Sequence, residues 1–589
     1  MKKHLGSRSS DVQGLTLSYA RLISLLLLAI LTGYHLSASK PREFLLSVES
    51  RKPGCRPRLP GTPFELPGTL ESQDVQRALS QVDEHIRDVF ATDDGIDGLA
   101  VAIVTSSGVL WEKYMGPLKA NETDLAKRGH VDKHSIFRIA SGSKLFTTLE
   151  TLILREKGAL SLDDPITKFF SHFSYKPGGW IPGHDERNFQ REPITLRQLA
   201  SHMSGLGREY PRGDMPHWPY SSEGAGPPPI NGAPFPTIEE TLEGLAAYPL
   251  VQCTSIQPVY SNAGIALLGQ AAVVVNMRYE EARNIVGGPS TWRELVKRDV
   301  FQPLDLNGSF FTVNEHNERH VAVAKEDSEE VDLDFLDTMS SSGGQMSSLA
   351  DYIKLMQTIL DPTRPESLLP PRVVREWLQP MHGFLDDETE VGLIWEIQKM
   401  KDSYGRPLRL FEKHGTLGAS RSVFSVNKDT GYGVVWMNTG ASSVAGEAVH
   451  DVFEIMQPAL DEILTKHSRT RYAGIWKGIG GDGRVKTADS EIVVSVDGGT
   501  LWVDKFVLNG ADVLEVTQAG VSVPLWSTGR EDEFRTMFGA SRGCMSAWAG
   551  IDEGFSRGFP VDLLYFLNGS KEVEMHIPSA GVVLVRGEQ

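Results

Sequence analysis

Two hairpin-like stretches in distant parts of the chain do most to limit its fold. "LAVAIVTSSGVLWEKYMG", from Leu99 to Gly116, reads as two strands around a Ser-Ser-Gly turn. "VFSVNKDTGYGVVWMNTG", from Val423 to Gly440, reads the same way, with its turn at Asp429 to Gly431. Between them lie segments with helical periodicity, such as Leu349 to Leu360. Strands at both ends with helices between suggest one sheet assembled from distant parts of the chain. From about residue 470 the pattern changes to strands and tight turns. "EIVVSVDGG" precedes "TLWVDKFVLNG", and "EVEMHIP" alternates apolar Val573, Met575 and Ile577 with polar neighbours. The expected fold is therefore α/β (α+β), an antiparallel sheet with a helical region, followed by a small all-β C-terminal domain. A chain of 589 residues has room for two or three domains. The expected boundaries are a targeting segment at 1–40, an arm rich in Pro, Gly and Arg at 41–71, the main body at 72–466 and the β domain at 467–589.

The stretch "FRIASGSKLFTT", residues 137 to 148, carries the chemistry. Leu145, Leu149 and Leu152 recur at helical spacing, and Phe146, Ile153 and Leu154 cover more of the circumference, so the helix is a buried one that ends at Gly158. Ser141 stands at its N-terminus. One reading makes Ser141 only an N-cap. Lys144 supports another, because positions i and i+3 share a helix face. Desolvation lowers the pKa of a buried lysine and makes it a proton acceptor. A move from about 10.4 to near 7 corresponds to roughly 4–5 kcal/mol of differential interaction. The helix N-terminus favours negative charge developing near Ser141. A nucleophile, a base and backbone N–H donors are then together, as serine acyl transfer requires. Ser143 is the rival nucleophile, but residues one apart on a helix point in different directions.

The rest of the sequence narrows the setting. Lys2, Lys3, Arg8 and Arg21 precede "LISLLLLAILTGYHL", and small residues follow at Ser37, Ala38 and Ser39, the order of a signal peptide. An uncleaved single membrane anchor and a buried N-terminal helix are the alternatives. The protein is thus expected to be secreted, or membrane-anchored with its body on the lumenal or extracellular side. Three cysteines, Cys55, Cys253 and Cys544, allow one disulfide and one free thiol; Cys55 with Cys544 would tie the arm to the last domain. Asn121, Asn307 and Asn568 head glycosylation sequons. Neither the cysteines nor the histidines and carboxylates have metal-ligand spacing ("GHDERNF" at Gly183 reads as a loop), so no metal and no cofactor is expected. The formal charge of −17 without a basic stripe argues against nucleic acid. "GIGGDG" at Gly478 lacks the Gly-Lys-Ser/Thr of a phosphate loop, and no Gly-x-Ser-x-Gly elbow marks an α/β-hydrolase.

Ser-x-x-Lys with these flanks resembles the nucleophile segment of the serine β-lactamase and penicillin-binding-protein superfamily, especially the class C β-lactamase-like esterases. Further stretches follow in the family's order: "GALSLDDPI" (Gly158 to Ile166), "TLRQLASHMSGL" (Thr195 to Leu206), "PVYSNAGIALLG" (Pro258 to Gly269), "SSGGQMSSLADYIKLM" (Ser341 to Met356) and "EKHGTLGASRSVFSV" (Glu412 to Val426). The match spans roughly residues 80 to 460. The resemblance implies that Ser141 is acylated and that Lys144 and Tyr260 share the general-base and general-acid work. A phenol titrating near 10 needs neighbouring cations for this, which Lys144 and Lys413 would supply. It further implies that Asn262 hydrogen-bonds Lys144 or the substrate, and that the N–H groups of Ser141 and Thr416 form the oxyanion hole.

The sequence departs from the family in Lys413-His414-Gly415, where β-lactamases usually carry Thr in the middle. The bulkier residue argues against efficient recognition of a β-lactam carboxylate. His414 is either a direct substrate contact or a partly exposed strand residue. A register with His414 as the leading cation would put Thr416 where Gly is expected. The Ser-Asp-Asn box of class A enzymes has no counterpart. "GAGPPPINGAPFP" (Gly224 to Pro236) lies in an insertion-like stretch, either a pocket wall or lid or a surface loop; Tyr210, Trp218, Tyr220 and Phe235 favour an apolar acyl or aromatic substrate. The expected function is hydrolysis of an ester or amide of a small-molecule acyl substrate. The layout looks like that of fungal members, some of which serve natural-product pathways. The alternatives are acyl transfer to an alcohol, and a non-catalytic binder that kept the fold.

Overall fold

The computed structural model describes residues 54–176, 179–180, 193–326, 328–478, 489–569 and 572–587. The targeting run, "GHDERNF" and nearly all of "GIGGDG" lie outside them. Among the described residues no helix is long and apolar enough to cross a membrane. They divide into two units, 59–471 and 54–58 with 472–587.

In the larger unit, Gln73–Thr92 forms α1 and the first hairpin forms β1 (Gly98–Thr105) and β2 (Gly108–Met115). Ser143–Glu156 forms α2, Leu196–Ala200 α3, Asn262–Glu281 α4 and Leu349–Leu360 α5. Strands β3 (Pro380–Gly383), β4 (Thr389–Gly392), β5 (Glu396–Lys401), β6 (Pro407–Leu417), β7 (Ser420–Asn427) and β8 (Tyr432–Thr439) precede α6 (Ala445–Tyr472). Among the described residues these build an eight-stranded sheet in the order β2-β1-β8-β7-β6-β5-β4-β3. The two hairpins lie side by side in it: β1 and β8 pair antiparallel from Gly98 opposite Thr439 to Thr105 opposite Tyr432. One sheet assembled from distant segments is thus what forms.

Strand alternation decides which face each helix covers. Leu99, Val101 and Ile103 of β1 pack with Val75, Val82 and Ile86 of α1 and Val452, Phe453 and Leu460 of α6. Ala100, Ala102 and Val104 turn to the opposite face, with Phe146 and Leu149 of α2 and Leu268 of α4. The small side chains face the helical region that carries the site.

The boundaries shift from those expected. The 41–71 arm is divided: Phe64 lies edge-on to Tyr432 in the larger unit, while Cys55 belongs to the smaller. Helix α6 runs on to Tyr472, because its buried residues, among them Val452, Leu460 and Leu464, continue past 460. In the smaller unit, Glu491–Asp497 pairs with both Gly474–Gly478 and Thr500–Leu508. That double pairing closes a ring of eight antiparallel strands, a β-barrel with inward Trp476, Phe534, Phe566 and Met575. Cys55 and Cys544 form a disulfide within this unit, and Cys253 is free and exposed. Asn121, Asn307 and Asn568 are exposed.

Candidate active site

The Ser141 segment is set by a short strand, Ile136–Arg138, paired with Met346–Ser348. After it Ala140 takes φ +47, a left-handed conformation that alanine adopts only under constraint. Ala140–Gly142 is a 3₁₀ turn that runs into α2. Ser141 is therefore one residue ahead of the helix cap, and the N-cap reading fails: the cap position is Gly142, with no side-chain cap bond. Every residue of α2 from Ser143 to Leu154 is buried, as its apolar circumference requires.

The spacing of three brings Lys144 Nζ to Ser141 Oγ, to which it donates at 2.9 Å. Lys144 also donates to the Ser342 carbonyl at 2.6 Å and is fully buried. Ser143 Oγ instead donates to the Ala140 carbonyl and accepts from Gln345 N, so its hydroxyl is taken up in backbone bonds. Ser261 caps α4 by accepting from Gly264 N at 2.8 Å, and this places Tyr260 just ahead of that helix. The Tyr260 hydroxyl donates to Ser141 Oγ at 2.8 Å. The serine oxygen thus lies within reach of an amine and a phenol at once.

Charge gathers around that phenol. The Tyr260 ring centroid lies 5.0 Å from Lys144 Nζ, 5.4 Å from Lys413 Nζ and 4.7 Å from the Arg208 guanidinium. Burial raises the Tyr260 pKa, but Lys144 and Lys413 outweigh it and leave the phenol below its ordinary value. Burial lowers the Lys144 pKa, and the charge on Lys413 lowers it further. Lys413 is itself raised, because ion pairing with Glu396 outweighs its burial. The two groups also act on each other: the phenol raises the Lys144 pKa and the Lys144 charge lowers that of Tyr260.

The strand carrying Lys413 also brings His414, Gly415 and Thr416. Lys413 faces Tyr260, whereas His414 turns to Glu412, 3.0 Å from its carboxylate; Lys413 is therefore the leading cation. Thr416 is exposed and lies opposite Arg421 on β7. A Cβ on Gly415 would overlap the carbonyl oxygen of Ile139, two residues before Ser141. Glycine here lets β6 lie against the turn that holds Ser141. Gly415→Ala is accordingly expected to push the two apart and lower kcat/KM by on the order of 10²-fold while the fold survives. Ester hydrolysis alongside a thermal midpoint checks this.

Asn262 differs from expectation. It makes no bond to Lys144; its Nδ2 donates to Glu209, whose carboxyl is held above the usual range chiefly by burial. Asn262 Oδ1 and Glu209 Oε2 are buried without a hydrogen-bond partner among the described residues. Glu209, Glu396 and His202 were all missed from the sequence. His202 sits within "TLRQLASHMSGL" at φ +59, its ring 4.5 Å from that of Tyr260. Its Nδ1 accepts from Ser261 N, and burial holds its pKa well below the ordinary value. A neutral ring with its proton on Nε2 follows. Among the described residues no group of His, Cys, Asp and Glu is arranged to hold a metal. Of the insertion aromatics, Tyr210 is buried, Phe235 stacks on Phe335, and Trp218 and Tyr220 are exposed.

A family model described as Beta-lactamase matches residues 80–454. The chain is 53% identical over 313 residues to the β-lactamase-like protein str6 of Strobilurus tenacellus, an alignment covering 51% of this chain and 99% of that protein. It is 55% identical over 232 residues to the β-lactamase-like protein str5 of the same organism, covering 39% of this chain and 82% of that one. Among solved structures it is similar to the β-lactamase/D-alanine carboxypeptidase of Yersinia pestis complexed with citrate, at 18% identity and a TM-score of 0.48, covering 68% of this chain and all of that one.

Proposed function

The chain belongs to the β-lactamase family, whose members are serine hydrolases, and from that premise we propose that it cleaves an ester or amide through an acyl-enzyme on Ser141. The observation that carries this reading is the placing of one hydroxyl between Lys144 and Tyr260, at 2.9 and 2.8 Å. In the first half-reaction Ser141 Oγ bonds to the acyl carbon and gives its proton to the Lys144–Tyr260 pair. The bond to the leaving group breaks, and Tyr260 returns that proton to the departing oxygen or nitrogen. Water, or an alcohol, then attacks the acyl carbon by the reverse proton path and frees Ser141. The N–H groups of Ser141 and Thr416 are assigned to the oxyanion. Removing one such donor costs on the order of 10²–10³ in rate in comparable sites.

His414, in place of a small hydroxyl, is occupied by Glu412, which supports an ester or amide lacking the β-lactam carboxylate. The disulfide and the three exposed sequon asparagines support a secretory route, and similarity to β-lactamase-like proteins of Strobilurus tenacellus supports a fungal setting. Intact mass after incubation with p-nitrophenyl butyrate tests the central claim. One butyryl adduct that disappears in Ser141→Ala is expected; an adduct that persists in that variant moves the nucleophile elsewhere.

A further inference from the structure

A cleft of about 500 Å³ opens beside Tyr260, and its lining includes that phenol but neither Ser141 nor Lys144. It therefore lies on the acid's side of the nucleophile. The acid that protonates a leaving oxygen must touch it, and the nucleophile of the second half-reaction enters by the same path. The part of the substrate within reach of Tyr260 and this cleft is then the alcohol, not the acyl chain. The volume exceeds by far what a water molecule needs.

The wall is mostly apolar, and its carboxylates are held by partners. Val391, Trp395 and Ile397 line it, and Phe384 stands at it 40% exposed. Three carboxylates also line it, yet each has a partner: Glu390 with Arg409, Glu396 with Lys413, and Glu412 with His414 and His450. Among the described residues, every carboxylate of the wall is thus already engaged by a side chain of the protein.

One residue of the wall is held in a conformation its side chain disfavours. Ile394 has φ +70, an outlier for a β-branched residue, and it is 2% exposed. Its N–H donates to the Ala200 carbonyl at 2.7 Å, two residues before the left-handed His202 that also lines the cleft. Glycine would sit here without strain, so isoleucine persists at a cost that its side chain must offset. We infer that the cleft holds the leaving alcohol, or the incoming acceptor alcohol, that this alcohol is uncharged and apolar, and that Ile394 sets its size. The inference rests on the acyl-enzyme reading.

The test uses two butyrate esters, of ethanol and of 2-(1-naphthyl)ethanol, so that only the alcohol differs. Ile394→Gly should raise the bulky-to-small ratio of kcat/KM by about tenfold, the scale on which pockets discriminate single methylene groups. Val391→Trp, at a partly exposed strand position, should lower the same ratio about tenfold and covers the case in which Ile394→Gly does not fold. Ratios within twofold of wild type in the folded variants overturn the inference, as does a shift in acyl-chain preference instead. No butyryl adduct on wild-type Ser141 overturns this inference together with the acyl-enzyme reading. An adduct with unmoved ratios overturns this inference alone.

Discussion

Replacing Ser141 by alanine is expected to lower kcat on butyrate esters by on the order of 10⁵–10⁶, and replacing Lys144 by methionine to cost nearly as much. The double variant should lose little beyond either single one. The reason is geometric. Lys144 Nζ has two acceptors, Ser141 Oγ and the Ser342 carbonyl, and is fully buried. Its burial is useful only if the nucleophile's proton has somewhere to go. Without the hydroxyl the amine has nothing to deprotonate; without the amine the phenol faces a serine whose proton has lost one of its two neighbouring acceptors. Groups that act as one unit give non-additive losses. Steady-state rates for the three variants, with intact mass for the adduct, check this. Losses that add in log units would mean that the two side chains serve separate steps. Methionine keeps the length and apolar bulk, so the comparison separates chemistry from packing.

How much of this was written in the sequence depends on how local each signal is. The Ser141–Lys144 contact was legible because a helix fixes the geometry of residues three apart. The hairpins were legible because β1 and β7–β8 carry long apolar runs with unmistakable turns. That β1 pairs with β8, residue for residue, was only implied, since nothing local states a partner. Glu396 escaped because its role is to neutralise Lys413 across β5 and β6, a contact set by register. Glu209 escaped for a related reason: the loop after α3 brings it against Asn262, and only a folded chain shows that the amide is already taken. The left-handed backbone at Ala140, His202 and Ile394 had no signal at all, because none of these residues favours φ > 0. Those three flank the nucleophile, the phenol and the cleft. At these three positions local preference was overridden at the site itself.

Tyr260 and Lys413 give the second large effect, and its sign can be worked out. Tyr260→Phe keeps the ring against His202 but removes the proton carrier, and should lower kcat by on the order of 10²–10⁴. Lys413→Gln acts at a distance, through the pKa values of its neighbours. The Lys413 charge lowers Tyr260 by attracting the phenolate and lowers Lys144 by repelling the ammonium. Its loss raises both, so the Lys144–Tyr260 pair sheds its proton at higher pH. The acidic limb of kcat/KM should therefore move to higher pH in Lys413→Gln. Glu396→Gln should move it the other way, since the Glu396 carboxylate raises the phenol and its loss lets the phenolate form at lower pH. A merely structural contribution from either residue would lower kcat without displacing the limb in opposite directions. Profiles of kcat/KM from about pH 5 to 10 on one butyrate ester measure both displacements. If both variants shift the limb the same way, the opposing charges of Lys413 and Glu396 on the phenol do not set the limb.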